Sequence, residues 1–322
     1  MAHQVEQMAY VGQTPWHGLG NQLAPRQPLE VWARQAGMDW RIIEAPVEYN
    51  AGGSHEPRWA MSYPENRVLF RSDPHAPLSV VGQRYKVVQP EEILEFYRDL
   101  TEGSGFELET AGVLKGGRKL WALARTGQSG VIKGNDQTNA YVLLATACDG
   151  SMATTAQFTS VRVVCNNTLA VATAGAVNAV KVRHSTPFDA QAVKQQLGIS
   201  VSAWDDFMYR LKTLSERKVK THEAKSYIQR VFSEPQNPRM VVAGKSNEKA
   251  IAKVLALFEG KGVGAELASS RNTAYGLVNA VTQFVDHERR ARNTDYRLDS
   301  AWFGKGATIK DKALEQAVLM TA

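Results

Sequence analysis

The sequence predicts an α+β protein, with a mostly antiparallel sheet in the N-terminal part and helices in the C-terminal part. Three observations lead there. Within Thr138–Val171 two long β-prone runs flank Asp149-Gly150, a strong hairpin signal. Ahead of them, short apolar runs are punctuated by Pro and Gly. From Asp189 onward apolar residues recur at helical spacing. The expected division is residues 1–185 for the sheet part and 186–322 for the helical part, as two domains or packed as one unit.

Taken in order, Thr14-Pro15-Trp16-His17-Gly18-Leu19-Gly20 reads as a loop, with Trp16 either clamping a ligand or stapling the arm to the core. A helix follows from Pro28, its apolar face Leu29, Trp32, Ala33 and Ala36, with Gly37 fit to close it. Short strands are expected near 39–49, 58–62, 67–71 and 78–82. Pro90 opens a second helix, in which Ile93, Leu94, Tyr97 and Leu100 form one stripe and Glu91 and Glu92 suit the positive end of the dipole. Phe106–Leu114 and Arg118–Arg125 pair across Lys115-Gly116-Gly117, and a polar insert, Thr126–Gln137, precedes the main hairpin. Beyond it, Ala172–Ala179 suits a helix and Val180–Pro187 an exposed basic connection. Helices are expected over 189–196, 201–219, from Thr221, after the Ser246 cap, over 272–290 and over 310–320.

No apolar run approaches the roughly 18 residues of a membrane span, and no secretory leader opens the chain, so a cytoplasmic protein is expected. The only cysteines, Cys148 and Cys165, are not cross-strand neighbours, and free buried thiols are expected. Residues 1–150 carry 14 Lys and Arg against 17 Asp and Glu, whereas residues 151–322 carry 24 against 15. A basic second half suits a polyanion partner, or else a solvated basic surface.

Several motifs read as structure. Ala243-Gly244-Lys245-Ser246 ends like a phosphate loop, but Arg239 stands where its first glycine belongs, and a helix cap explains Ser246. The glycine-rich Gly260–Gly264 follows a helix rather than a strand. The seven histidines show no metal-ligand spacing, so neither a metal nor a cofactor is expected. Asp286-His287-Glu288 cannot all face one ion from consecutive helical positions.

The candidate nucleic-acid contacts are Arg289, Arg290, Arg292 and Arg297, followed by Trp302 and Phe303, since arginines grip phosphates and aromatics stack bases. Lys181 and Arg183 add charge in the basic connection. On the hairpin, Thr155, Gln157 and Thr159 share one strand face, either solvated or binding, and Arg162, a further candidate nucleic-acid contact, falls on the other.

Seven stretches in this order carry a resemblance: Thr14–Gly20, Tyr85–Gln89, Asp149-Gly150-Ser151, Arg162–Leu169, Ala274–Thr282, Asp286-His287 and Arg297–Gly304. The chain resembles the phage/plasmid-like protein family built on the domain of unknown function nine-three-two. That resemblance implies a role on mobile elements: DNA maintenance, recombination or counter-defence. The expectation is a non-enzymatic, self-assembling nucleic-acid-binding protein, for single-stranded DNA binding or annealing in recombination or replication, by analogy with annealing proteins. The alternative is a host-directed protein-binding modulator, or a hydrolase drawing on His17, Asp149 or Asp286.

Overall fold

The computed structural model describes residues 5–12, 20–52, 59–103, 105–162, 164, 167–170, 179–197, 201–233, 245–292 and 294–321. The loop at 14–19, Cys165, Asn166, the run 172–178 and Gly244 lie outside them.

Strands β1 (Val5–Val11) and β2 (Asn21–Leu23) pair in parallel. Helix α1 (Leu29–Gln35) starts after Pro28, buries Leu29 and Trp32, and ends in Gly37 at φ 68°, a left-handed position suited to glycine. Strands β3 (Ile42–Asn50), β4 (Ala60–Arg71) and β5 (Pro77–Gly82) form a separate three-stranded antiparallel sheet. Its inner face buries Ile42, Leu69, Arg71 and Val81. Pro90 begins α2 (Pro90–Glu95) as expected, and the Glu92 carboxylate accepts the Gln89 amide at 2.7 Å. The single stripe expected through Leu100 is instead two short helices. The chain breaks at Phe96 and Tyr97 and resumes as α3 (Arg98–Gly103). The break lets the Tyr97 hydroxyl reach the carbonyls of Ala122 at 2.7 Å and Val142 at 3.1 Å.

Strands β6 (Glu107–Leu114) and β7 (Lys119–Val131) form the expected hairpin over Lys115–Gly117. The supposed polar insert is largely strand, because β7 continues to Val131. Strands β8 (Gln137–Ala147) and β9 (Thr154–Arg162) are neighbours. The connection at Asp149-Gly150 is longer than a two-residue turn, and the Asp149 carboxylate caps it by accepting the Ser151 amide at 3.0 Å. Strands β10 (Thr168–Ala170) and β11 (Ala179–Val182) pair antiparallel with successive parts of β9. The large sheet runs β10-β9-β8-β7-β6-β1-β2, with β11 beside β9.

The helices are α4 (Ala190–Leu197), α5 (Val201–Glu216), α6 (Thr221–Phe232), α7 (Lys245–Ala256), α8 (Ala274–Gln283), α9 (Thr294–Phe303) and α10 (Lys305–Val318). Ser246 is inside α7 rather than its cap. The long helix expected over 272–290 is α8 plus a π-helical turn, Phe284–Glu288. A helix at α9 was not expected, and α10 begins five residues earlier than the 310–320 reading.

The chain forms two compact units that interleave along the sequence, so each draws on residues from both sides of position 185. One comprises 1–127, 142–157 and 179–198, and the other 128–141, 158–178 and 199–322. Strands β7, β8 and β9 each pass from one unit into the other. In the first unit Trp32, Ile93, Phe96, Tyr97 and Trp121 are core residues. In the second, every residue of α8 is buried, as a helix apolar nearly all round requires. Thr273 caps α8 by accepting the Gly276 amide at 3.0 Å, and the Tyr227 hydroxyl of α6 donates to Ala313 of α10 at 2.7 Å.

Candidate nucleic-acid interface

The second unit holds 22 Lys and Arg against 15 Asp and Glu, while the first holds 16 against 17. The basic excess is therefore a property of one folded unit as well as of one half of the sequence.

Arg162 is not on its surface. Burial reaches both sides of β9: Thr155, Thr159 and Ser160 are buried with it and Gln157 is half-buried, so the face read as either solvated or binding is largely covered. Thr159 donates to the Leu169 carbonyl at 2.9 Å. The Arg162 guanidinium forms a bidentate pair with Asp136, Nε to Oδ1 at 2.8 Å and Nη2 to Oδ2 at 2.6 Å. It also donates to Ser270 Oγ at 2.9 Å and stands 5.3 Å over the Tyr275 ring. Burial pushes the Tyr275 phenol up to about 12. A guanidinium held this way cannot reach a phosphate, and Arg162 is withdrawn as a contact.

A second buried pair lies in the same unit. Lys310 Nζ sits 2.7 Å from Asp286 Oδ1 and 2.6 Å from Thr168 Oγ1, and the Thr168 amide donates to Asp286 Oδ2 at 2.9 Å. Asp286 is thus committed to an ion pair, which accounts for it without acid or base chemistry. Asp149 serves its own turn. Burial raises the Cys148 thiol to about 12, opposite to what a nucleophile needs. Among the described residues no three His, Cys, Asp or Glu side chains are grouped to hold a metal ion.

The arginine segment divides. Arg289, half-buried, points Nη1 at Ser300 Oγ, 3.4 Å away, and Arg297, also half-buried, donates to the His287 carbonyl at 2.7 Å. These two tie the π-helical turn at 284–288 to α9. Arg290 and Arg292 are exposed. The Arg292 guanidinium lies 5.5 Å over the ring of Tyr296, itself 39% exposed. Trp302 is half-buried, edge-on to Phe303. Tyr296 was missed in the sequence, although it stands inside the arginine segment, between Arg292 and Arg297.

Two further positions were missed. Lys218 and Lys220 are exposed on either side of buried Val219. An isolated antiparallel bridge joins Lys218 to Thr273, and the Lys218 ammonium reaches the carbonyl of exposed Arg271 at 3.3 Å. The Lys-Val-Lys alternation is the trace of that bridge. Lys181 and Arg183 are exposed as expected, but Lys181 lies in β11 rather than in a connection, and both belong to the first unit.

Residues 77–302 match the family described as Domain of unknown function (DUF932). The chain belongs to that family. No curated protein and no solved structure matches it. The DUF932 match includes Arg290, Arg292 and Tyr296 and ends at Trp302. Among the described residues of this DUF932 protein, no helix is long and apolar enough to cross a membrane.

Proposed function

We propose that this protein binds single-stranded nucleic acid, DNA in particular, without catalysing a reaction on it. The observation that carries the reading is the exposed Arg292–Tyr296 stack beside exposed Arg290, in a unit of net charge +7. Single-strand binders combine a positive surface with aromatic rings on which bases stack, and an arginine over a ring supplies both at one place. Lys218, Lys220 and Arg271 are further exposed cations of the same unit. Trp302 keeps a supporting place, partly covered. A role in recombination or replication of a phage or plasmid, in the cytoplasm and as a homo-oligomer, accords with such binding.

Fluorescence anisotropy of a labelled thymidine oligonucleotide, titrated across salt concentrations, tests the reading. Binding should weaken steeply with salt, because each phosphate neutralised releases condensed counterion. Replacing Arg290 and Arg292 together by Ala should lower the slope of log K against log salt by about 1.4, from roughly 0.7 per single-strand phosphate contact. Tyr296→Ala should weaken binding by about 1–3 kcal/mol at every salt concentration, the usual worth of one stacked base. Absence of binding at low salt overturns the proposal.

A further inference from the structure

The outer face of the three-stranded sheet is apolar where an antiparallel sheet turned to solvent should be polar. Register and alternation place Ile43, Ala45, Val47 and Tyr49 of β3 on this face. Opposite them stand Phe70, Val68, Tyr63 and Met61 of β4, and Val80 of β5 lies across from Val68. Trp59 continues the row one alternation beyond Met61, and its carbonyl accepts the Ala51 amide at 3.0 Å. None of these ten positions carries a charge. Of the charged residues in these strands, Glu44, Glu48, Arg67 and Arg71 fall on the opposite face, and Glu65 lies where the β3–β4 register shifts, opposite no residue of β3 or β5.

Six of these side chains are exposed: Ile43, Tyr49, Trp59, Met61, Tyr63 and Val80, by 38% to 59%. Scattered exposed apolar residues are ordinary, but a contiguous patch marks an interaction surface. Large aromatics present about 150–250 Å² each, so the six expose roughly 500 Å² together. That is the size of the largest patch on a typical monomer.

We propose that this face docks against the same face of a second copy of the chain. Three features select that occupant. The face offers nothing to pair with phosphate or with a charged peptide, so its complement is another uncharged face. The same sheet on a second copy has the required composition, and a two-fold axis makes one patch self-complementary. Pairing two such patches covers roughly 1,000 Å², the lower bound for a specific interface. The edge of β3 is a poor alternative, because Pro46 interrupts its hydrogen-bonding row and the pairing register shifts beside it. Two sheets packing face to face, with side chains interdigitated over about 10 Å, satisfy all three features. The proposal is independent of the arginine segment, which belongs to the other unit.

Sedimentation velocity on the full chain, over a hundredfold range of concentration, tests it. The wild type should pass from monomer to dimer. Met61→Glu and Val80→Glu, each placing a charge on the face, should raise the dissociation constant at least tenfold. Ser62→Lys, on the opposite face across from Glu48, should leave it unchanged. Circular dichroism and thermal melts of each variant establish that the fold is kept, which exposed positions favour. A wild type that stays monomeric overturns the proposal, as does association that survives both glutamate substitutions. So does a monomeric chain that needs Met61 and Val80 to bind phosphatidylcholine vesicles or the thymidine oligonucleotide, since the face would then serve another occupant.

Discussion

Arg162 and Asp136 hold each other in a two-pronged ion pair, with side chains 3% and 0% exposed. Ser269 donates a third hydrogen bond to the same carboxylate, and Ser270 accepts one from the guanidinium. The pair therefore pins β9 to the segment that leads into α8. Its worth lies in the cost of breaking it: an orphaned buried charge costs about 3–5 kcal/mol. Asp136→Ala and Arg162→Ala should each destabilise the protein by that amount in urea melts. Arg162→Lys, which keeps the charge and loses the fork, should lie between. Where these variants fold, oligonucleotide affinity should match the wild type. A drop in affinity without a drop in stability would return Arg162 to the contact surface.

The pair of Lys310 and Asp286 should behave differently in a double-mutant cycle. Lys310→Met alone strands a buried carboxylate, and Asp286→Leu alone strands a buried ammonium. Each single change should cost about 3–5 kcal/mol, while the double change should recover most of it, since apolar replacements of buried pairs are often neutral. Thr168 bonds to both partners, so the recovery should stop short by about 1 kcal/mol, the net worth of a hydrogen bond. Additive losses in thermal or urea denaturation would mean that the two residues act separately.

These two networks explain what the sequence could and could not convey. Periodicity placed α1, α4, α5 and α6 within a few residues, because their apolar faces follow local spacing. The Lys115–Gly117 hairpin was legible because its glycines take left-handed conformations. The fate of Arg162 was not legible, since Asp136 is 26 positions away and Ser270 is 108. Strand parity correctly set Arg162 apart from Thr155 and Thr159, but both sides of β9 are covered, and covering is a tertiary property. Helix α9 escaped for a related reason: Asp299 and Ser300 interrupt its apolar pattern, and Ser300 Oγ accepts the Gly306 amide that starts the next helix. Within the arginine run, sequence could not separate Arg290 and Arg292 from Arg289 and Arg297, whose acceptors are a hydroxyl 11 positions away and a carbonyl 10 positions away.

Gly276 in α8 offers a test in which two effects oppose. Exchanging an interior helical glycine for alanine ordinarily gains about 1 kcal/mol. Here an added Cβ would fall on the backbone carbonyl of Ser270. That carbonyl also accepts from Thr273, through both its amide at 3.2 Å and its hydroxyl at 3.1 Å, so the loop cannot step aside freely. The clash should win: Gly276→Ala should lose about 2 kcal/mol or more, in the upper range of overpacking. A stabilised Gly276→Ala would show that the loop before α8 yields.

Cys148 reports on the first unit. Its thiol is buried, directed at the Gly117 carbonyl 3.5 Å away, and raised to about 12 from an ordinary 9.0, chiefly by desolvation and then by the nearby Asp149 charge. In a Cys165→Ser background at pH 8, the reactive thiolate should be about a thousandfold scarcer than for an ordinary thiol, the span of that shift. Labelling by a disulfide reagent should be slowed at least that much in the folded protein and restored in denaturant. The sign of the linked stability follows. With the folded value above the unfolded one, the folded state retains its proton between pH 9 and 12 while the unfolded state loses it, so this residue's contribution falls as pH rises through that window. Fast labelling at pH 8 with undiminished stability would mean that the Cys148 end of β8 opens locally without global unfolding.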